Sequence, residues 1–434
     1  MKTVKDMKDM KVFREKAFPL NSFIHFIFFT VFMLAFVITL TGQQEQPRPT
    51  FRSGVDLVAV DVQVVDRDGK PMPALTIADF DVRIDGRKRA VVSADLVSYD
   101  AGIVGKAAPP AVAKIAPAVP TPGRLFIVAI DEGGLMPGDA MVAREASRRF
   151  LKKLGPADYV GVFKVPIFER LLNLTKNHEE ASKVFDRITG SYVPFRGQFN
   201  MLPSEMIDIN AGDRDTFQIV TQRECDPSDP TCPAAVQNEA RIMASYAEAE
   251  AANRVLGLRL LLDELRKMPD RKTLVLISGG MLSSDHGAAR PDVSNLMQQL
   301  GMQAAAANTS LYVLHMDGSF FDGMNRAGWK PQPPGAPPLM ARASRDGEVY
   351  AMGLERLADA ARGGYIRIQA GTPDYAFDRV LRETSAYYLL AVAPEDRDRN
   401  GRLHFLRVGV NAKGATVRSK SHVFIPSMPG VKSK

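Results

Sequence analysis

Cysteine and histidine are scarce, with two of the former and six of the latter in 434 residues. Cys225 and Cys232 stand alone in CDPSDPTC without a neighbouring histidine, so they cannot complete a tetrahedral zinc shell. In an exported chain such a close pair, separated by polar and Pro residues, reads as a local disulfide. No cysteine lies behind the amino-terminal apolar run, which excludes a lipoprotein anchor. A nucleophile elbow is also missing. Ser278 stands before Gly279-Gly280 with Asp285 and His286 close by, but KTLVLISGG lacks the G-x-S-x-G pattern, and paired glycines serve to turn the backbone tightly out of a strand. The excess of positive charge is only +7 on 56 basic and 49 acidic residues. No basic stripe is interleaved with aromatics, so the chain carries no nucleic-acid signature.

What is present is ordinary globular composition, 45% hydrophobic and 24% charged, in a chain long enough for two or three domains. Residues 1–45 are the exception. Lys2, Lys5, Lys8, Lys11, Arg14 and Lys16 precede an 18-residue apolar run from Phe23 to Leu40. Positive-then-apolar order is an export signal, and this run is just long enough to span a bilayer. Cleavage at Thr41 and Gly42 to release the chain, or an uncleaved membrane anchor, both fit. The expected location is periplasmic or extracellular.

The chain is organised around Arg124 to Val165. RLFIVAID is a continuous apolar run that ends on Asp131, as a strand covered on both faces does. A helix is expected from about Asp139 to Leu154, stopped by Gly155-Pro156, and YVGVFKV then supplies a second strand. This strand, acid, helix and LGPADYVGVFKV resemble the first half of a von Willebrand factor type A domain. From about Phe51 to Ile425 the chain resembles bacterial VWFA-related proteins. The resemblance implies a doubly wound, mostly parallel α/β sheet with an amino-terminal β domain whose D-x-x-G and L-T-x-x-D-F motifs correspond here to Asp66–Gly69 and Leu75–Phe80.

The remaining pattern places β strands at residues 51–100, with a hairpin turned at Asp85-Gly86, then an Ala/Pro-rich linker at 101–123. The α/β domain covers 124–386 and contains an irregular insertion at 190–235. A long helix from about Ala234 to Met268, strands at Lys272–Ser278 and in TSLYVLHMD, and helices at 291–308, 347–362 and 374–384 continue the alternation. Three alternating strands at 387–426 cannot stand alone with one face bare. They are expected to pack with 51–100 into a small β-sandwich, which makes the α/β domain an insertion between its halves.

In an open α/β sheet, ligands gather at the carboxyl ends of the parallel strands. The expected binding face comprises Asp131, Glu132, Gly133, Ser278, Gly279, Ser283, Ser284 and Asp285. Phe320, Phe321 and Trp329 in the next loop are candidate anchors for a partner, or pack back on the domain. Members of the resembled family hold Mg²⁺ there with D-x-S-x-S, a distant Thr and an S-D-G or T-D-G turn. This chain keeps Asp131, but Gly133 and Leu135 stand where the serines would be, and Gly279 replaces the turn's acid. Thr189 is the nearest threonine. Glu132, Asp139 or Asp285 would have to supply the missing oxygens. The expectation is therefore a non-enzymatic, exported module that binds a protein partner without metal or cofactor. The alternatives are a divalent-metal-dependent adhesion module and, more weakly, an envelope hydrolase using Ser278.

Overall fold

A computed structural model describes residues 57–99, 123–167, 169–195, 197–268, 270–287, 289–318, 330–369 and 373–427. The amino-terminal apolar run, residues 101–122, and Phe320, Phe321 and Trp329 lie outside the described residues.

Three strands come first: β1 (Val58–Val65), β2 (Phe80–Ile84) and β3 (Arg87–Ser98). Asp85 and Gly86 take φ of 48° and 78° between β2 and β3. A two-residue turn with both φ positive has the twist that antiparallel strands need, which explains the Asp-Gly pair. Strand and helix then alternate through β4 (Leu125–Asp131), α1 (Pro137–Leu151), β5 (Tyr159–Val165), β6 (Glu169–Thr175) and α2 (His178–Val184). Next come α3 (Pro203–Ala211), α4 (Arg214–Glu224), α5 (Cys232–Arg266), β7 (Lys272–Ser278), α6 (Ser294–Ala306) and β8 (Thr309–Met316). α7 (Leu339–Ala360), β9 (Gly364–Ile368) and α8 (Asp374–Glu383) complete this part. β10 (Ala386–Ala393), β11 (Arg402–Val410), β12 (Thr416–Ser419) and β13 (His422–Ile425) close the described chain.

The central sheet has the order β6-β5-β4-β7-β8-β9, parallel except for β6 at one edge. Both faces are covered. Phe126, Val128 and Ile130 of β4 belong to one core with Phe150 of α1 and Phe377 of α8; the Phe150 ring meets Phe126 edge-on at 5.4 Å and Phe377 at 4.9 Å. Ile127 and Ala129 belong to the other, with Leu258 and Leu261 of α5, Leu300 of α6 and Leu354 of α7. Because alternate residues of β4 enter different cores, its sequence shows no polar alternation.

The strands at the two ends of the chain share one antiparallel sheet, ordered β12-β1-β10-β3-β2-β11-β13. Val58 lies opposite Val392 and Val62 opposite Tyr388 in the β1–β10 pair. β10 then pairs with β3 through a bulge at Ala391/Val392. This single curled sheet wraps one core that includes Val60, Val62, Val82, Ile84, Tyr388, Leu390 and Leu406. The sandwich expected from the alternation is thus one continuous sheet folded over its own core, and the α/β part is inserted between its halves.

Buried polar chemistry joins the two layers. Gln63 of β1, wholly buried, donates to Tyr312 Oη of β8 at 2.9 Å and to the Glu383 carbonyl. The buried Glu383 carboxylate pairs with Arg418 of the curled sheet and with Arg379. The insertion is more regular than its sequence pattern. α3 and α4 pack with the start of α5 around Met206, Ile207, Val220 and Val236, and Cys225 is joined to Cys232 as expected.

Candidate binding site at the sheet's switch point

The chain leaves β4 toward β5 on one side and β7 lies on the other, so the loops after β4 and β7 diverge and open a crevice between them. Asp131 ends β4 there. Its Oδ1 accepts from Gly134 N–H at 3.1 Å, which caps the short turn Glu132–Gly134. Its Oδ2 accepts from Ser278 Oγ, at the end of β7, at 2.6 Å. Asp131 is 3% exposed and Ser278 fully buried.

A guanidinium occupies the remaining approach to this pair. Arg254 of α5 places Nη1 3.6 Å from Asp131 Oδ2 and donates from the same nitrogen to Gly280 O at 2.6 Å. Nη2 donates to Gly133 O at 3.3 Å, and the guanidinium carbon lies 5.9 Å from the Tyr192 ring. Arg254 is 5% exposed, and its Nε has no hydrogen-bond partner among the described residues. One fixed positive charge therefore bridges the loops after β4 and β7 and faces the buried carboxylate.

The glycines around it are structurally required. A Cβ on Gly279 would stand 2.1 Å from Gly134 O, one on Gly134 would stand 2.4 Å from Asp131 Oδ2, and one on Gly133 would stand 2.9 Å from Pro166 Cδ. Serine or aspartate ligands at these positions have no room without movement of the backbone. Leu135 is fully buried in the core. The oxygen set implied by the family resemblance is thus reduced to Asp131 and Ser278, which bond to each other, and these residues do not fit a hexacoordinate cation.

Glu132 turns the other way. It accepts from Thr189 N–H and Oγ1 at 2.9 and 3.0 Å and pairs with Lys164 at 3.1 Å. Burial would raise its pKa, but these partners outweigh it and hold the carboxyl below the usual range. Thr189 is therefore committed to Glu132. Asp139 of α1 lies by the crevice, its carboxyl raised by burial and by Asp317. With Gly134, Met136, Gly279, Tyr192 and Tyr350 it lines a recess of about 10 Å³. The Tyr192 and Tyr350 hydroxyls meet at 2.9 Å in its lining. The same two tyrosines also line a cavity of about 50 Å³ along α5 between Phe195, Met206, Met243, Tyr246 and Met281, with Arg254 also in its lining.

Asp131, Gly133 and Ser278 thus meet around Arg254 and Gly279 lines the smaller recess, whereas Glu132 faces Thr189 and Lys164, and Ser283, Ser284 and Asp285 are engaged elsewhere. Ser283 Oγ accepts from Arg356 at 2.7 Å. Ser284 Oγ accepts from His286 N–H, and Asp285 pairs with Arg345, which also binds Asp208 through both oxygens. His315, at the end of β8, is fully buried against Tyr365 Oη at 2.7 Å, and burial pushes its pKa down to about 4. Sequence reasoning missed Arg254, Tyr192 and Tyr350. The signal for Arg254 was available: it falls on the apolar stripe Ala251, Val255, Leu258, Leu262, where a charge needs a buried partner.

No family profile matches the chain, and no curated protein matches it. Solved structures do match, among them the crystal structure of the SpRpn10 VWA domain. It is 10% identical over 59% of this chain and 93% of that one, with a TM-score of 0.26. A likeness this distant assigns neither family nor activity.

Proposed function

We propose that the chain is a non-enzymatic, exported protein-interaction module that meets its partner at the switch-point rim, with the Arg254 guanidinium supplying the positive charge that a divalent ion supplies in the resembled family. The observation that carries this reading is the seat of Arg254 on Gly133 O and Gly280 O beside Asp131. The carboxylate is neutralised from within the chain, and the rim offers apolar and aromatic contact around Tyr192, Tyr246 and Tyr350. Such surfaces select protein side chains by shape. The Cys225–Cys232 disulfide supports an oxidising compartment, in keeping with the export signal expected from the amino-terminal sequence. A hydrolase role for Ser278 has little support, because its hydroxyl is buried and donates to a carboxylate.

Proximity labelling in the native envelope would identify the neighbour, and the affinity of the purified pair would then be measured in EDTA and in Mg²⁺. Equal affinity in both, with loss on Tyr350→Ala, is the expected result. Binding that needs Mg²⁺ would favour the adhesion alternative and end this proposal.

A further inference from the structure

A second cavity, of about 30 Å³, lies at the amino-terminal ends of the parallel strands, in the seam with the curled sheet. It has room for one small polyatomic ion or a couple of waters. Arg271, Ser310 and Arg362 line it from the α/β side, and Asp61, Arg418 and Lys420 from the curled sheet. Arg418 is committed to the buried Glu383 carboxylate. The other three cations have no carboxylate partner within ion-pair distance among the described residues. Arg271 donates to Ser310 Oγ at 3.3 Å and lies 4.6 Å from the Tyr387 ring, and Arg362 lies 5.7 Å from the Phe405 ring.

Charge decides what this cavity wants. Opposing the three cations are Asp61 and the carboxyl ends of α6 and α7, which stop at Ala306 and Ala360 beside the cavity. A helix end carries about half a negative charge, so the balance leaves about one positive charge unanswered. Burial holds the Lys420 amine below the usual lysine range, with Asp61 opposing and the Arg271 charge reinforcing that effect.

We propose that this cavity binds a small oxyanion, a phosphate or sulfate group, held by Lys420 from the curled sheet and by Arg271 and Arg362 from the α/β layer. The volume admits one tetrahedral group and no nucleotide. The same chemistry is offered by a free anion and by the headgroup phosphate of an anionic lipid. In either case the ion ties the two layers together, so binding raises the stability of the fold.

The test uses the purified chain, melted and titrated calorimetrically with inorganic phosphate against chloride at matched ionic strength. Phosphate is expected to raise the melting temperature where chloride does not. Lys420→Met and Arg271→Met, approaching the site from opposite layers, should each weaken phosphate by about tenfold or more, the worth of a charge-assisted hydrogen bond. Lys420→Arg should retain it, as should Arg67→Met in the separate basic cleft beside Arg379 and Arg382. Sedimentation with phosphatidylglycerol vesicles that is lost in Lys420→Met identifies a lipid headgroup as the source, and a phosphate response without vesicle binding identifies a free anion. The proposal is overturned if neither probe acts beyond the chloride control, or if the responses survive both methionine variants.

Discussion

The guanidinium of Arg254 stands 3.6 Å from the carboxylate of Asp131, and both side chains are almost wholly excluded from water. Removing one partner of a buried pair strands the other charge, which costs about 3–5 kcal/mol. Arg254→Met should lower the unfolding free energy by about that much in urea titration. Arg254→Lys, which keeps the charge but cannot span Gly133 O and Gly280 O together, should fall in between. Adding Asp131→Asn to Arg254→Met should recover part of the loss. A cost below about 1 kcal/mol for Arg254→Met would mean the pair is far more hydrated than its burial indicates.

Gly279→Asp supplies the acid of the resembled S-D-G turn and tests what the packing beside Asp131 tolerates. Its Cβ would meet Gly134 O at 2.1 Å, so the loop after β4 must move. The expected outcome is a destabilisation of about 1–3 kcal/mol or more with no Mg²⁺ affinity gained by calorimetry, because Arg254 still occupies the approach to Asp131. Tight Mg²⁺ binding by this variant would show that the loops tolerate the ion after all.

The layers were legible wherever burial writes a simple pattern. RLFIVAID and KTLVLIS are apolar throughout because each face enters a core, and Asp85-Gly86 marks its hairpin because both residues need positive φ. The insertion was not legible as helix because α3 and α4 span only 9 and 11 residues, too few for periodicity to stand out. Their ends still carry local signals. Pro203 opens α3, Gly212 closes it at φ 87°, and Asp213 caps α4 by accepting from Thr216 N–H at 2.7 Å. The site was half legible: Asp131 and Ser278 follow from strand ends. Arg254 reaches them from a helix more than a hundred residues after Asp131, and only the packing of α5 on β4 and β7 brings it there.

The disulfide closes a short loop between α4 and α5, with a sequence separation of 7. A loop of that size removes about 2–3 kcal/mol of chain entropy from the unfolded state. Cys225→Ser with Cys232→Ser should therefore lower stability by about that amount. Hydrogen exchange should place the loss in 203–245, around Met206, Val220 and Val236, and leave β4 and β7 protected. Uniform deprotection of the parallel sheet would show instead that the insertion and sheet unfold as one unit.

Acid should weaken the fold through two buried carboxylates. Asp398 accepts from Arg89 Nε and Nη2 at 2.6 and 2.7 Å, and this pairing, against the opposing effect of burial, holds its carboxyl below the usual range. For Asp158 burial pushes upward, but bonds from Arg124 and the Gly155 N–H outweigh it and the net direction is again down. A carboxyl whose folded pKa is depressed adds stability that is complete above its unfolded value of about 3.9 and disappears as pH falls through the folded value. Stability from these groups should thus be flat from about pH 7 to 5 and decline below about pH 4. Arg89→Met removes the partner that keeps Asp398 ionised. Its unfolding free energy should be lower at neutral pH and should fall less steeply in acid than that of the parent chain, as urea titrations across that range would measure. Parallel acid limbs for the two proteins would place the titrating carboxylates elsewhere.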